Sequence, residues 1–200
     1  MARPRNDDMR RLAILATFDC VALGGVTGLS FREIARMTES STGTLSHHFG
    51  SKRQLLLAAI AYGYWRLPEA FAARPATQAM RYVLDRYELS TPKRRTWWKF
   101  WLAMTALAQS DPEIHDAMAR EYRSVVERWV NSLNRGREAG LFRADLDPVV
   151  EANRLAAFAH GVAIAQLTDP SQTATASASL HDALGRLCTD AGLATLRGSP

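Results

Sequence analysis

Ser30-Phe31-Arg32-Glu33-Ile34-Ala35-Arg36-Met37-Thr38-Glu39-Ser40-Ser41-Thr42-Gly43-Thr44-Leu45-Ser46-His47-His48-Phe49-Gly50-Ser51-Lys52 is the stretch on which the reading of this chain turns. It contains Ser30, Ser41 and Ser51, each just ahead of a run with helical spacing. Serine is a favoured N-cap because its side-chain oxygen accepts one of the amides that a helix start leaves without a partner. Ser30 is followed three residues later by Glu33, the spacing of a capping box. The expectation is two short helices, one opening at Ser30 and one running from Ser41 to Phe49, with a long helix beginning after Ser51. Leu45 and Phe49, four apart, anchor one face of the second short helix. Its other faces carry Thr42, Gly43, Thr44, Ser46, His47 and His48.

Upstream, residues 6–23 form a helix that Gly24-Gly25 stops. A supporting helix followed by two short helices and a tight turn is the helix-turn-helix layout, whose second helix lies in the major groove of double-stranded DNA. Small and hydroxylated residues on that helix suit close approach to DNA, and Gly43 removes a side chain that would hold it away. Ser30, Arg32 and Lys52 flank it and can contact phosphates, Arg32 also a guanine edge. Charge agrees with an anionic partner here: residues 1–60 hold eight Lys/Arg against five Asp/Glu, whereas the whole 200-residue chain is only +5.

Downstream everything reads helical, with Gly, Pro and Asp-Pro as punctuation. The expected helices are residues 52–73, 75–89, 92–109, 112–140, 148–168 and 170–190, with 191–200 as a loop-like tail. That makes about nine helices, an all-α fold, and two domains: 1–52 for DNA binding and 53–200 for ligand binding and dimerisation. No Gly-rich phosphate loop, His-Glu-x-x-His or Gly-x-Ser-x-Gly motif is present, so no enzyme activity, cofactor or metal is expected. Cys20 and Cys188 are far apart and read as buried thiols of a reducing compartment. There is no run of 18 apolar residues and no signal-peptide core, which reads as a cytoplasmic protein without a membrane partner.

Aromatic side chains crowd this second part. Tyr62, Trp65, Trp97, Trp98, Trp101 and Tyr122 are candidate walls of a pocket for a small-molecule effector, set against their use as plain core. The effector class is hydrophobic or aromatic, with a quaternary amine as one member because aromatic faces attract organic cations. The helix over 148–168 is rich in Ala and Gly, and the next carries Leu180, Leu184 and Leu187. Ala156 and Gly161 with these leucines are the expected homodimer interface, as two helix pairs packed into a four-helix bundle.

The segment Ile34 to Leu55 also resembles the tetracycline-repressor (TetR) family, whose pattern runs Ile-Ala-x-x-Ala-Gly-Val-Ser-x-Gly-Thr-Leu-Tyr-x-His-Phe-x-x-Lys-x-x-Leu. The form Ser41-Thr42-Gly43-x-x-Ser46-His47-x-Phe49 is most similar to the branch of choline-responsive repressors of the betaine pathway. The resemblance implies a repressor released from a palindromic operator by a small molecule, with the named residues of 41–49 on DNA. The departures are specific. Thr38-Glu39-Ser40 stands where the pattern has Ala-Gly-Val, and Ser46 where it has tyrosine. Glu39 in a left-handed turn position costs about 1 kcal/mol relative to glycine. That turn keeps an alternative open: a helical ligand-binding protein or enzyme whose DNA-binding motif has lost its function.

Overall fold

The structure is a computed structural model and describes residues 6–62 and 74–197. Ten α-helices occur among the described residues, and no strand beyond a single bridge between Phe142 and Cys188. They are α1 (Asn6–Gly28), α2 (Phe31–Met37), α3 (Thr42–Phe49), α4 (Lys52–Ala61), α5 (Ala76–Leu84), α6 (Pro92–Leu107), α7 (Pro112–Glu138), α8 (Pro148–Thr168), α9 (Thr173–Gly185) and α10 (Asp190–Arg197). The all-α expectation holds. The described residues fall into two compact units, 6–62 with 96–121 and 74–95 with 122–197.

The helix starts follow the predicted caps. Ser30, Ser41 and Ser51 accept hydrogen bonds from the amides of Glu33, Thr44 and Gln54 at 3.2, 3.0 and 3.1 Å. Asp111 and Asp147 do the same ahead of Pro112 and Pro148. Only half of the capping box forms: the Glu33 carboxylate turns to Arg36, at 2.6 and 3.1 Å, instead of to the Ser30 amide.

In the first unit, α1 kinks at Gly25, whose φ of 66° leaves the helical region, and one further helical turn reaches Gly28. The expected stop at Gly24-Gly25 is thus a break with a short continuation. The inward face of α1 is Ala13, Ile14, Thr17 and Val21, while Leu12 is exposed. Thr17 is buried at no polar cost because its hydroxyl donates to the Ala13 carbonyl at 2.8 Å. By length and composition alone α1 would suffice to cross a membrane; here its apolar face is core, against α2 and α4. Ile34, Leu45, Leu55 and Leu56 complete that core, with Trp98, Phe100 and Met104 of α6.

In the second unit Trp129, Leu133, Ala152, Ala156, Ala159, Ala163, Leu180 and Leu184 form the core. The Phe142 ring lies over Gly136, where any Cβ would overlap it. Two expectations fail at the C-terminal end. The helix expected over 170–190 is a 3₁₀ turn, Pro170–Gln172, followed by α9, which ends at Gly185. The supposed tail holds α10. Thr189 caps it by accepting from the Gly192 amide at 3.1 Å, and Leu196 buries. A threonine cap before a glycine-containing run gave too little periodicity for residues 190–197 to be read as helix.

Candidate nucleic-acid interface

The helix-turn-helix geometry is built as its residues dictate. The turn that follows α2 holds a left-handed residue, Glu39, with φ of 50°. The Ser40 amide reaches back to the Ala35 carbonyl at 2.9 Å, the long closing bond of a Schellman motif. The missing apolar anchor is replaced by a hydroxyl chain: Thr38 donates to the Ile34 carbonyl at 2.8 Å, and the Ser40 hydroxyl lies 2.9 Å from that of Thr38. The unusual turn is therefore polar and internally satisfied. α3 is pinned from below by Leu45 and Phe49, 0% and 7% exposed.

What remains outside is Thr42, Gly43, Ser46 and His47, all exposed. Thr44 is half-buried, its hydroxyl 2.9 Å from the capping Ser41. His48 is half-buried beside Phe49. Ser30 and Arg32 are exposed at the start of α2. Gly43 has no internal reason to be glycine: a Cβ there would meet only the Ser41 hydroxyl, at an ordinary 3.6 Å. Lys52 behaves differently. Its ammonium donates to the Val26 carbonyl at 2.5 Å. Beneath that turn Cys20 donates to the Gly28 carbonyl at 3.6 Å. Burial chiefly, with Glu33 adding, raises the Cys20 thiol above its usual range, opposed by the Ser30 backbone and Lys52. Two further arginines lie near the ends of these helices. Arg10 sits 5.8 Å over the Phe49 ring, and Arg53 pairs with Asp111 at 3.1 Å and Glu113 at 3.8 Å. Their positions depend on tertiary packing that no local spacing announces.

The candidate effector residues are distributed over both units. Trp97 and Trp101 stack on each other at 5.3 Å and 20°, and Trp98 meets Trp97 edge-on at 5.4 Å. All three are buried in the first unit, as is Phe100, which packs on Phe18 at 4.8 Å. Tyr62 is half-buried there and accepts from Arg11 at 3.2 Å. Trp65 lies outside the described residues. Tyr122 belongs to the second unit, 5.5 Å from His160, which in turn lies 5.4 Å from Tyr87; Trp129 closes the group at 6.0 Å from Tyr87. His160 donates from Nδ1 to the Ala156 carbonyl at 2.7 Å, and burial lowers its pKa, which favours the neutral ring. Burial likewise holds Tyr87 protonated, far above the usual phenol range. The lone histidine in the alanine-rich α8 was the visible signal for this group.

Of the candidate interface residues, Ala156, Leu180 and Leu184 are fully buried and Leu187 is 7% exposed, all inside the chain's own core. Gly161 is exposed. Arg94 and Arg95, at the start of α6, are clamped within the second unit. Arg94 donates to the Glu88 carbonyl at 3.0 Å, and Arg95 to Gln166 and Thr173 at 3.2 and 3.0 Å. Gln166 is itself fully buried and spends its amide on Leu89, Tyr87 and Val162.

Comparison with known proteins gives this geometry relatives. The family of bacterial regulatory proteins called tetR matches residues 13–59, and the family described as BetI-type transcriptional repressor, C-terminal, matches residues 72–189. The HTH-type transcriptional repressor AcnR of Corynebacterium efficiens is 29% identical over 128 residues. That match covers 64% of this chain and 65% of the repressor, so it spans just under two thirds of the relative's length. A TetR-family regulator from Rhodococcus sp. shares the fold at a TM-score of 0.79 and 24% identity, over 91% of this chain and 100% of that one. A transcriptional regulator from Saccharomonospora viridis, solved in complex with choline, does so at 0.77 and 21%, over 92% and 99%. At these identities the likeness to the two structures is one of fold.

Proposed function

The chain belongs to the tetracycline-repressor family of bacterial regulatory proteins, with a C-terminal part of the BetI type, and from that premise we propose that it is a dimeric transcriptional repressor released from DNA by a small molecule. The observation that carries this reading is the outward face of α3. Its residues are polar, small and exposed, and Gly43 is glycine where internal packing does not ask for it. In this reading Thr42, Gly43, Thr44, Ser46, His47 and His48 meet base edges and phosphates, supported by Ser30 and Arg32. Residues 1–52 are the DNA-binding domain and 53–200 the effector and dimerisation domain of a cytoplasmic protein that is not an enzyme and has no membrane partner.

The dimer face lies on α8. Ala157, Phe158, Gly161, Ile164 and Ala165 are exposed at spacings of one, three and four, with Phe158 and Ile164 each 43% exposed. The buried Ala156, Leu180, Leu184 and Leu187 support that face from behind. A hydrophobic or aromatic effector fits the aromatic inventory. A quaternary amine is the narrower reading, favoured by the choline held in the Saccharomonospora structure. Against it, Trp97 and Trp101 already cover each other's faces. Binding shifts the DNA-competent state only by its differential affinity for the two states.

The test is selection of bound fragments from random duplex DNA, repeated with choline and with a panel of neutral aromatics. The expected outcome is a palindromic consensus with half-sites about one helical turn, roughly 34–36 Å, or more apart, weakened by one of these compounds. Recovery of unenriched DNA would overturn the reading.

A further inference from the structure

Lys52 is the first residue of α4, where a cation is of the wrong sign for the helix dipole. It makes no ion pair with any acid among the described residues. Its ammonium instead turns to the other end of a neighbouring helix. The kink at Gly25 leaves the last turn of α1 with carbonyls that the helix does not consume. Val26 offers one of them, accepting the Leu29 amide at 3.3 Å and the Lys52 ammonium at 2.5 Å. Cys20 holds the same turn from the inside, through Gly28. Leu29 is buried, and Ser30, the cap of α2, follows immediately.

We infer that Lys52 is a positioning residue for the reading head: it pins the 26–29 turn to the start of α4, and so fixes where α2 begins relative to α3, instead of serving chiefly as a phosphate ligand. The pin joins three chain segments, the end of α1, the cap of α2 and the start of α4. A charge-assisted hydrogen bond to a carbonyl at a helix end is among the stronger single contacts available to a surface lysine. Its loss frees the turn that carries Ser30 and Arg32 without removing a charge from the DNA contact set.

The inference rests on the DNA-binding reading, and the test separates the two. Full-length Lys52→Met, which keeps the aliphatic stem, is compared with wild type on a duplex selected by the wild type, across a range of salt concentrations. The expected result is binding weakened about tenfold with an unchanged dependence on salt, and faster amide exchange confined to residues 26–30. A salt slope reduced by about one would make Lys52 a phosphate ligand and overturn the inference, as would unaltered affinity or unaltered exchange. Should the variant fail to fold, the wild-type ammonium resonance of Lys52 decides: it stays unperturbed on adding duplex if the pin holds, and shifts if the group contacts phosphate. A wild type that selects no duplex would defeat the DNA reading alone and leave exchange at 26–30 to judge the pin.

Discussion

Two helices of this chain, α3 and α8, each present an outward face that their own unit does not use, and the faces are opposite in chemistry. On α3 it is Thr42, Gly43, Ser46 and His47, mostly small and polar; on α8 it is Phe158, Gly161, Ile164 and their alanine neighbours, apolar throughout. Both helices are anchored by residues with almost no exposure, Leu45 in one and Ala156, Ala159 and Ala163 in the other. A polar face on a short, capped helix suits a hydrated, charged partner, whereas an apolar stripe on a long helix suits a second apolar helix. The chemistry left outside indicates the kind of partner, and the anchors behind it only hold it in place.

The anchors should give the largest effects and should not discriminate partners. Leu45→Ala removes a side chain with no exposure and should cost about 2–5 kcal/mol of unfolding free energy, read by chemical denaturation. Ala156→Glu should likewise unfold the second unit, because a charge would enter a fully packed core. The outward face of α8 should do the reverse. Phe158→Asp or Gly161→Glu should leave the thermal midpoint close to wild type and produce monomers in sedimentation. Dimers persisting in both variants would move the interface off α8.

Smaller effects sharpen the contrast at the turn before α3. Glu39 holds a positive φ at about 1 kcal/mol. Glu39→Gly should recover most of that, and it removes an acid from beside the proposed phosphate surface, so DNA binding should tighten as stability rises. A destabilised Glu39→Gly protein would mean that the turn depends on the side chain.

The smallest effect belongs to pH. Burial holds His160 below its ordinary value of 6.5 in the folded chain, so the unfolded chain binds more protons there. Stability should fall as pH drops below about 6.5 and continue to fall toward the folded pKa. His160→Gln should flatten that slope, and a slope unchanged by the substitution would assign it to other groups.

The same contrast explains what could be read from sequence. Ser30, Ser41 and Ser51 act within three residues of where they stand, so caps, short helices and the left-handed turn at Glu39 were legible. The exposed face of α3 followed from them. Which residues of α8 face outward is not legible, because an alanine-rich helix has no polar face to show which side is out; Ala156 and Gly161 look alike until tertiary packing buries one and exposes the other. The tryptophans of α6 are candidate pocket walls that also stack on one another, and the Tyr87–His160–Tyr122 group draws on the 3₁₀ turn Asp85–Tyr87 and two helices distant in sequence. The Lys52 contact with Val26 is invisible to local spacing, because the two residues are 26 apart.

If the outward face of α3 reads DNA, a second selection from random duplexes with His47→Ala must show it. His47 is exposed and its removal touches no core contact, so the thermal midpoint should stay at the wild-type value, with surface changes worth at most about 0.5 kcal/mol. The selected consensus should change at the same position in both half-sites. An identical consensus bound with identical affinity would contradict the claim.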